Sequence, residues 1–211
     1  MIFVFVGMSG VGKTLWASRL TTLGFTHVDC DALIAERLRE HHVIPAATMR
    51  DMGAWLGLPD TPTFVEREAL FLHIEAAILQ EVLTRLRAVG PEADLVVDPG
   101  GSAIYAGATL WTPLRELATI VYFAVTEADH ARLLVAYLAS PRPVIWNGLF
   151  QPRPDEDRAA TFARCYAQLL HTREALYESW CDLKLLPADY YCSTLAPAAF
   201  LRMLRERAAG G

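Results

Sequence analysis

The sequence predicts a three-layer α/β fold with a central five-stranded parallel sheet. Three observations lead there. Ile2–Val6 is a short unbroken apolar run, the mark of a strand covered on both faces, and short strand-like segments recur at Phe25–Val28, Ala93–Val97, Thr119–Ala124 and Leu183–Leu186. Between them lie segments with apolar residues three and four apart, the spacing of amphipathic helices. Strands and helices alternate, and alternation of this kind builds a parallel sheet with helices on both sides.

Taken in order, Ile2–Val6 ends in glycine and leads into a helix over Lys13–Leu23, with Gly24 as its stop. Phe25–Val28 ends at Asp29, and Asp31–Glu40 is helical. The stretch 41–63 is less regular, with a helical Thr48–Leu56 and the breaker Pro59-Asp60-Thr61-Pro62. Glu66–Ala88 is the longest periodic segment, with Phe71, Ile74, Ile78, Val82 and Leu86 on one face. Beyond the third strand, helices are expected over Leu110–Leu117, Glu127–Leu138, Asp155–Ser179 and Pro197–Ala208. Ser140–Pro154 carries four prolines and must be a loop or lid. The whole of 1–211 is expected to be one domain, with a small helical insertion at about 32–90 for the acceptor and a lid at about 138–156.

Composition narrows the function classes. Of 211 residues, 53% are hydrophobic and 20% charged, which suits a full core and argues against disorder. A net charge of -5 and a pI near 5.7 disfavour a nucleic-acid partner. No apolar stretch approaches the length of a membrane span, so no membrane partner is expected. Cys30, Cys165, Cys181 and Cys192 form no CxxC pair, which fits reduced thiols in a cytoplasmic protein. A monomer is the simplest expectation.

The chemistry begins at Gly7-Met8-Ser9-Gly10-Val11-Gly12-Lys13-Thr14, which fits GxxxxGK[ST] between a strand and a helix. Glycines let backbone N–H groups turn toward phosphate oxygens, and the helix N-terminus adds its dipole. Lys13 is expected on the β- and γ-phosphates and Thr14 on Mg²⁺, with Ser9, Gly10, Val11, Gly12 and Leu15 completing the cradle. Asp29-Cys30-Asp31 ends the second strand, at the sheet edge where ligands bind. One carboxylate is assigned to Mg²⁺, and the other to an attacking hydroxyl; the pair also suits capping of the next helix, for which Asp31 alone would suffice. Asp98-Pro99-Gly100-Gly101-Ser102 ends the third strand, and Asp98 is placed as a Walker B acid supporting the metal. The lid segment offers Arg142 and Arg153, with Arg158 just beyond, as charges that closure brings to a transferring phosphoryl group.

In this order the motifs resemble the shikimate kinases, a family of P-loop NTPase fold among the nucleoside-monophosphate-kinase-like proteins. The resemblance runs through nearly the whole chain. It is carried by the P-loop, by His27-Val-Asp-Cys-Asp-Ala-Leu-Ile34, by Phe71-Leu-His-Ile-Glu75, by Gly100-Gly-Ser-Ala-Ile104, by Arg142-Pro-Val-Ile145 and by Arg173-Glu-Ala-Leu-Tyr177. It implies an ATP-dependent, Mg²⁺-assisted kinase acting on a small-molecule hydroxyl acceptor. Asp29 would then help hold Mg²⁺, and Asp31 would polarise the hydroxyl. Gly100 and Gly101 would offer backbone to the acceptor. Arg142 would swing in with the lid, Arg173 would clamp a carboxylate, and Pro197 would lie in the adenine-binding loop.

Three positions depart from the family pattern. Leu72 stands where an arginine would be a second carboxylate ligand. Ser102 replaces a third glycine. The stretch between Asp31 and Phe71 is longer than is usual in the family. That extra length offers Arg50 or Arg67 as a substitute cation, or Trp55 and Phe64 as walls of a different pocket. Shikimate, a related metabolite, a nucleoside or nucleotide acceptor, and a non-catalytic nucleotide-binding role all remain open at this level.

Overall fold

The computed structural model describes residues 1–90, 93–192 and 194–210. Its five strands are β1 (Ile2–Gly7), β2 (Thr26–Asp29), β3 (Leu95–Asp98), β4 (Thr119–Phe123) and β5 (Leu183–Leu185), all parallel in the order β2-β3-β1-β4-β5. β1 is the central strand, and every residue of it is buried. Its neighbours are reached by crossovers on opposite sides, so a crevice opens at the carboxyl ends of β1 and β3. The register sets Asp29 beside Asp98 and Gly7 beside Phe123 along that edge.

The helices are α1 (Lys13–Thr21), α2 (Cys30–Glu40), α3 (Met49–Leu56), α4 (Phe64–Val89), α5 (Ala108–Leu117), α6 (Glu127–Ala139), α7 (Arg158–Trp180), α8 (Pro187–Tyr190) and α9 (Pro197–Ala209). α1 packs beside α9, α2 beside α4, and α6 beside α7. At the first contact Trp16 stacks on Phe200 with centroids 4.0 Å apart, and its indole N–H donates to the Tyr190 carbonyl at 3.0 Å. The aromatic pair closes one layer of the core over β1, where Phe5 meets the edge of Phe200.

The expected elements all form, with shifts of one to three residues at most ends. Two short pieces are additional: a 3-10 turn at Ala103–Ala106, and α8. Each is a single turn, too short to leave a periodic apolar pattern. Gly24 has φ +91 and donates its N–H to the Thr21 carbonyl, so the α1 stop is a left-handed turn just past the helix end.

α4 is the pillar of the inserted region. Its face carrying Phe71, Glu75 and Ile78 is buried, while Glu68 turns to the lid and accepts the N–H groups of Trp146 and, at 3.0 Å, Asn147. Trp146 is 1% exposed and sits among Tyr137, Phe150, Phe162 and Tyr166. The middle of the lid is therefore anchored by an aromatic cluster in this conformation. Among the described residues, no helix is long and apolar enough to cross a membrane.

Candidate active site

The phosphate loop is shaped by glycine. Gly7, Gly10 and Gly12 have φ of +145, +83 and +100, which L side chains rarely adopt. A Cβ on Gly7 would also meet the Phe123 carbonyl oxygen at 2.8 Å. Val11 is buried beneath the loop, and Ser9, Gly10, Gly12, Lys13, Thr14 and Leu15 line a cavity of about 230 Å³ together with Asp31, Asp98 and Gly101. Lys13 is 6% exposed, and its Nζ donates to the Gly7 and Met8 carbonyls at 3.0 Å each. Burial lowers its pKa, and the nearby Asp98 and Asp31 charges oppose that.

The acidic side of the cavity divides the three aspartates by role. Thr14 Oγ1 donates to Asp98 Oδ2 at 2.5 Å, which joins the P-loop hydroxyl to the end of β3. Asp29 is the N-cap of α2: its Oδ1 accepts the Ala32 N–H at 3.0 Å. The cap is therefore Asp29 and not Asp31, which already lies inside the helix, and Asp29 does not line the phosphate cavity. Asp31, in the first turn of α2, does. Its pKa is raised to about 6, first by burial and then by Asp98, with Lys13 pulling the other way. Gly100 has φ +83, and a Cβ there would meet Asp31 Oδ1 at 2.5 Å, so the carboxylate rests directly on this glycine.

A second cavity, of about 140 Å³, shares Ser9, Asp31 and Gly101 with the first. Its walls are Met49, Met52, Leu56, Phe71, Val144 and Ile145, and Arg173 closes one end. Arg173 is 7% exposed; its Nη2 donates to the Ile145 carbonyl at 2.6 Å and its Nε to Tyr105 Oη at 3.2 Å. Gly101 fits beneath it, since a Cβ there would lie 3.2 Å from Arg173 Nη1. Tyr177 Oη fixes the same segment by donating to the Gly101 carbonyl at 2.6 Å. Arg142 lines a third cavity, of about 520 Å³, that also reaches Ser9 and includes Arg50, Tyr137 and Tyr166. Three cavities therefore meet at Ser9.

Several expected site residues lie elsewhere. Leu72 does not face Arg173; it lines a cavity beneath the lid with Phe64, Glu68, Trp146 and Phe150, because it lies one residue, about 100° around α4, from Phe71. Neither Arg50 nor Arg67 supplies a second cation to the 140 Å³ cavity. Arg50 faces the third cavity, and Arg67 donates to the Trp55 carbonyl. Phe64 belongs to the cavity beneath the lid, and Trp55 lines none of the three cavities at Ser9. Arg153 pairs with Glu156 and Arg158 with Asp60, so of the three lid arginines Arg142 is the one on a cavity at Ser9. Pro197 is the first residue of α9, a position that suits its missing N–H, and it does not line the phosphate cavity.

Sequence reasoning missed the wall residues Met49, Met52 and Leu56, and also the buried pair Glu75–Ser102. Ser102 Oγ donates to Glu75 Oε1 at 2.7 Å. Glu75 is 2% exposed, and burial raises its pKa to about 8. The signals were present: an acid on the apolar stripe of α4, and a serine in a glycine run.

No family model and no curated relative matches the chain. Solved structures do. The shikimate kinase from Bacteroides thetaiotaomicron superposes with a TM-score of 0.59 at 18% identity, covering 98% of this chain and 97% of that one. The Acinetobacter baumannii shikimate kinase in complex with shikimate gives 0.58 at 20% identity, over 99% and 93%. The dephospho-CoA kinase from Campylobacter jejuni gives 0.59 at 12% identity, over 99% and 98%. With its five-stranded parallel sheet and a Walker-type loop at the central strand, the chain has a shikimate kinase-like P-loop kinase fold.

Proposed function

We propose that the protein is an ATP-dependent phosphotransferase that moves the γ-phosphoryl group to a hydroxyl of a small acceptor. The observation that carries this reading is the position of Asp31, whose residue lines both the phosphate cavity and the 140 Å³ cavity beside it. A carboxylate at such a junction can take a proton from a hydroxyl as that oxygen bonds to phosphorus and ADP leaves. A pKa near 6 keeps it largely ionised at neutral pH yet basic enough to accept that proton.

The residues fit a nucleotide with a divalent cation. Lys13 is held on carbonyl oxygens by the same donors that phosphate oxygens would accept from. Thr14 and Asp98 would hold Mg²⁺, with Asp29 behind them through its register with Asp98. Bound there, Mg²⁺ supplies neutralisation of charge on the phosphates. Arg142 adds positive charge from the lid side, and Gly100 and Gly101 let main chain approach the acceptor.

For the acceptor, one buried guanidinium suits one anionic group, and the apolar walls suit a ring or chain with a hydrophobic face. Shikimate is the reference acceptor, and a less hydroxylated relative fits those walls better. A nucleotide acceptor is the second reading, favoured by the larger cavity with Arg50, Arg142, Tyr137 and Tyr166.

Acceptor-dependent ADP release over a panel of hydroxy acids and nucleotides tests both. Turnover with a small hydroxy acid that falls by ~10²–10³ in Lys13→Ala and survives Arg50→Ala supports the first reading. Tight ATP binding with no acceptor-dependent turnover overturns it. Turnover restricted to nucleotides and lost in Arg50→Ala selects the second.

A further inference from the structure

The lid is strung between two helices. α6 ends at Ala139 and α7 begins at Arg158, and the two pack side by side. At their contact lie Glu127 and His130 of α6, and His171 and Glu174 of α7. Each pair is three residues apart and so occupies one face of its helix. His130 is 5% exposed, and neither of its ring nitrogens has a hydrogen-bond partner among the described residues. Its Nδ1 lies 3.8 Å from Glu127 Oε2 and its Nε2 lies 3.5 Å from Glu174 Oε2. The His171 ring stands edge-on to it, with centroids 5.0 Å apart. One donor atom from each of Glu127, His130 and His171 falls within 4.8 Å of the others.

We propose that Glu127, His130 and His171 form a site for a divalent transition metal, with Zn²⁺ the ion it fits best. Two imidazoles are borderline nitrogen donors, and with one harder carboxylate they make a set that zinc sites use. Mg²⁺ and Ca²⁺ want oxygen, whereas Zn²⁺ takes this set in tetrahedral geometry with one position left for water. Tetrahedral coordination at ~2.0–2.1 Å needs donor atoms roughly 3.4 Å apart, so donors standing within 4.8 Å of one another must draw together on binding. Glu127, at 86% side-chain exposure, is free to swing in, while buried His130 is the fixed anchor. With Nδ1 on the metal, the Nε2–H points to Glu174. A carboxylate behind a ligating imidazole sets its tautomer and raises its basicity.

The site is separate from the phosphotransfer machinery, since none of its residues lines the cavities at Ser9. Its effect is mechanical. A metal here ties the stem entering the lid to the stem leaving it, and the second stem also carries Arg173.

The test uses the full chain stripped of metal by chelation. Zn²⁺ titrated against a chromophoric chelator is expected to bind one per chain, unaffected by excess Mg²⁺. His171 is exposed, so His171→Ala keeps the fold, checked by circular dichroism, and weakens binding at least tenfold. Glu174→Gln weakens it by ~10–100-fold through the tautomer. Zn²⁺ should raise the Tm of the wild type by several degrees and leave that of His171→Ala unchanged. Co²⁺ in place of Zn²⁺ should give d–d bands with no thiolate charge-transfer band, which separates this site from the four free cysteines. Equal Zn²⁺ affinity in wild type and His171→Ala overturns the proposal. So does a thiolate band with Co²⁺, or the lack of a stoichiometric site.

Discussion

Ser102 and Glu75 are locked together at 2.7 Å beneath the candidate acceptor cavity, hydroxyl to carboxyl, both nearly sealed from solvent. Burial raises the Glu75 pKa from 4.5 to about 8, and the serine hydroxyl only partly offsets that. A carboxyl with a raised folded-state pKa binds more protons folded than unfolded. Stability is then fully present below about pH 4.5 and is lost as pH rises through about 8. The loss for this group is on the order of 5 kcal/mol. Glu75→Gln should remove most of that slope, and denaturant unfolding from pH 5 to 9 measures it. A wild-type slope that persists unchanged in Glu75→Gln rules the group out as its source.

Asp31 should act as a base with its proton lost above about pH 6. The acceptor kcat/KM, which reports groups of the free enzyme, is expected to rise with pH through that value. Asp31→Asn should lower kcat by ~10²–10⁴ and abolish the acidic limb of the profile. A variant that keeps the limb assigns it to another group.

Gly100 and Gly107 make a controlled pair. Both have positive φ, +83 and +76, so alanine strains each backbone by ~1–3 kcal/mol. A Cβ at Gly107 meets nothing within 4 Å, whereas one at Gly100 runs into Asp31 Oδ1. Both alanine variants should lose stability, measured by Tm, with Gly107→Ala reporting the backbone cost in open space. Gly100→Ala alone should depress kcat, because it displaces the carboxylate. An equal kcat in the two variants would show that the glycine contact does not set the position of Asp31.

Arg173→Lys tests the fork. Lysine keeps the charge but cannot span the Ile145 carbonyl and Tyr105 hydroxyl together. The acceptor KM should rise by an amount worth ~2–5 kcal/mol, with the KM for ATP little changed. A rise confined to ATP would place the arginine on the nucleotide side.

Much of this arrangement is legible in the sequence. The inner strands β1, β3 and β4 announce themselves by their apolar residues, whereas the edge strands β2 and β5 carry polar ones. Asp31, Gly101 and Arg173 line one cavity, and Gly100 lies against the Asp31 carboxylate rather than on the cavity wall. The side chains that turn away are legible only in three dimensions. Leu72 follows Phe71 in sequence yet lies beneath the lid, because neighbours on a helix are about 100° apart. The spacing of Asp29 and Asp31 alone does not say which caps α2, and the Ala32 N–H selects Asp29. The α3 wall of Met49, Met52 and Leu56 carries no motif. Such residues are defined by what they enclose, and enclosure is set by how an insertion docks.

The Arg173–Ile145 contact has a consequence for selectivity. The guanidinium is held on two sides, Nη2 by the Ile145 carbonyl and Nε by the Tyr105 hydroxyl. Its fork is therefore pre-aimed, and an anion gains most when it meets the planar donors at the angle they already hold. Because one of those holds is a lid carbonyl, the seating of the lid and the aim of the arginine are set together.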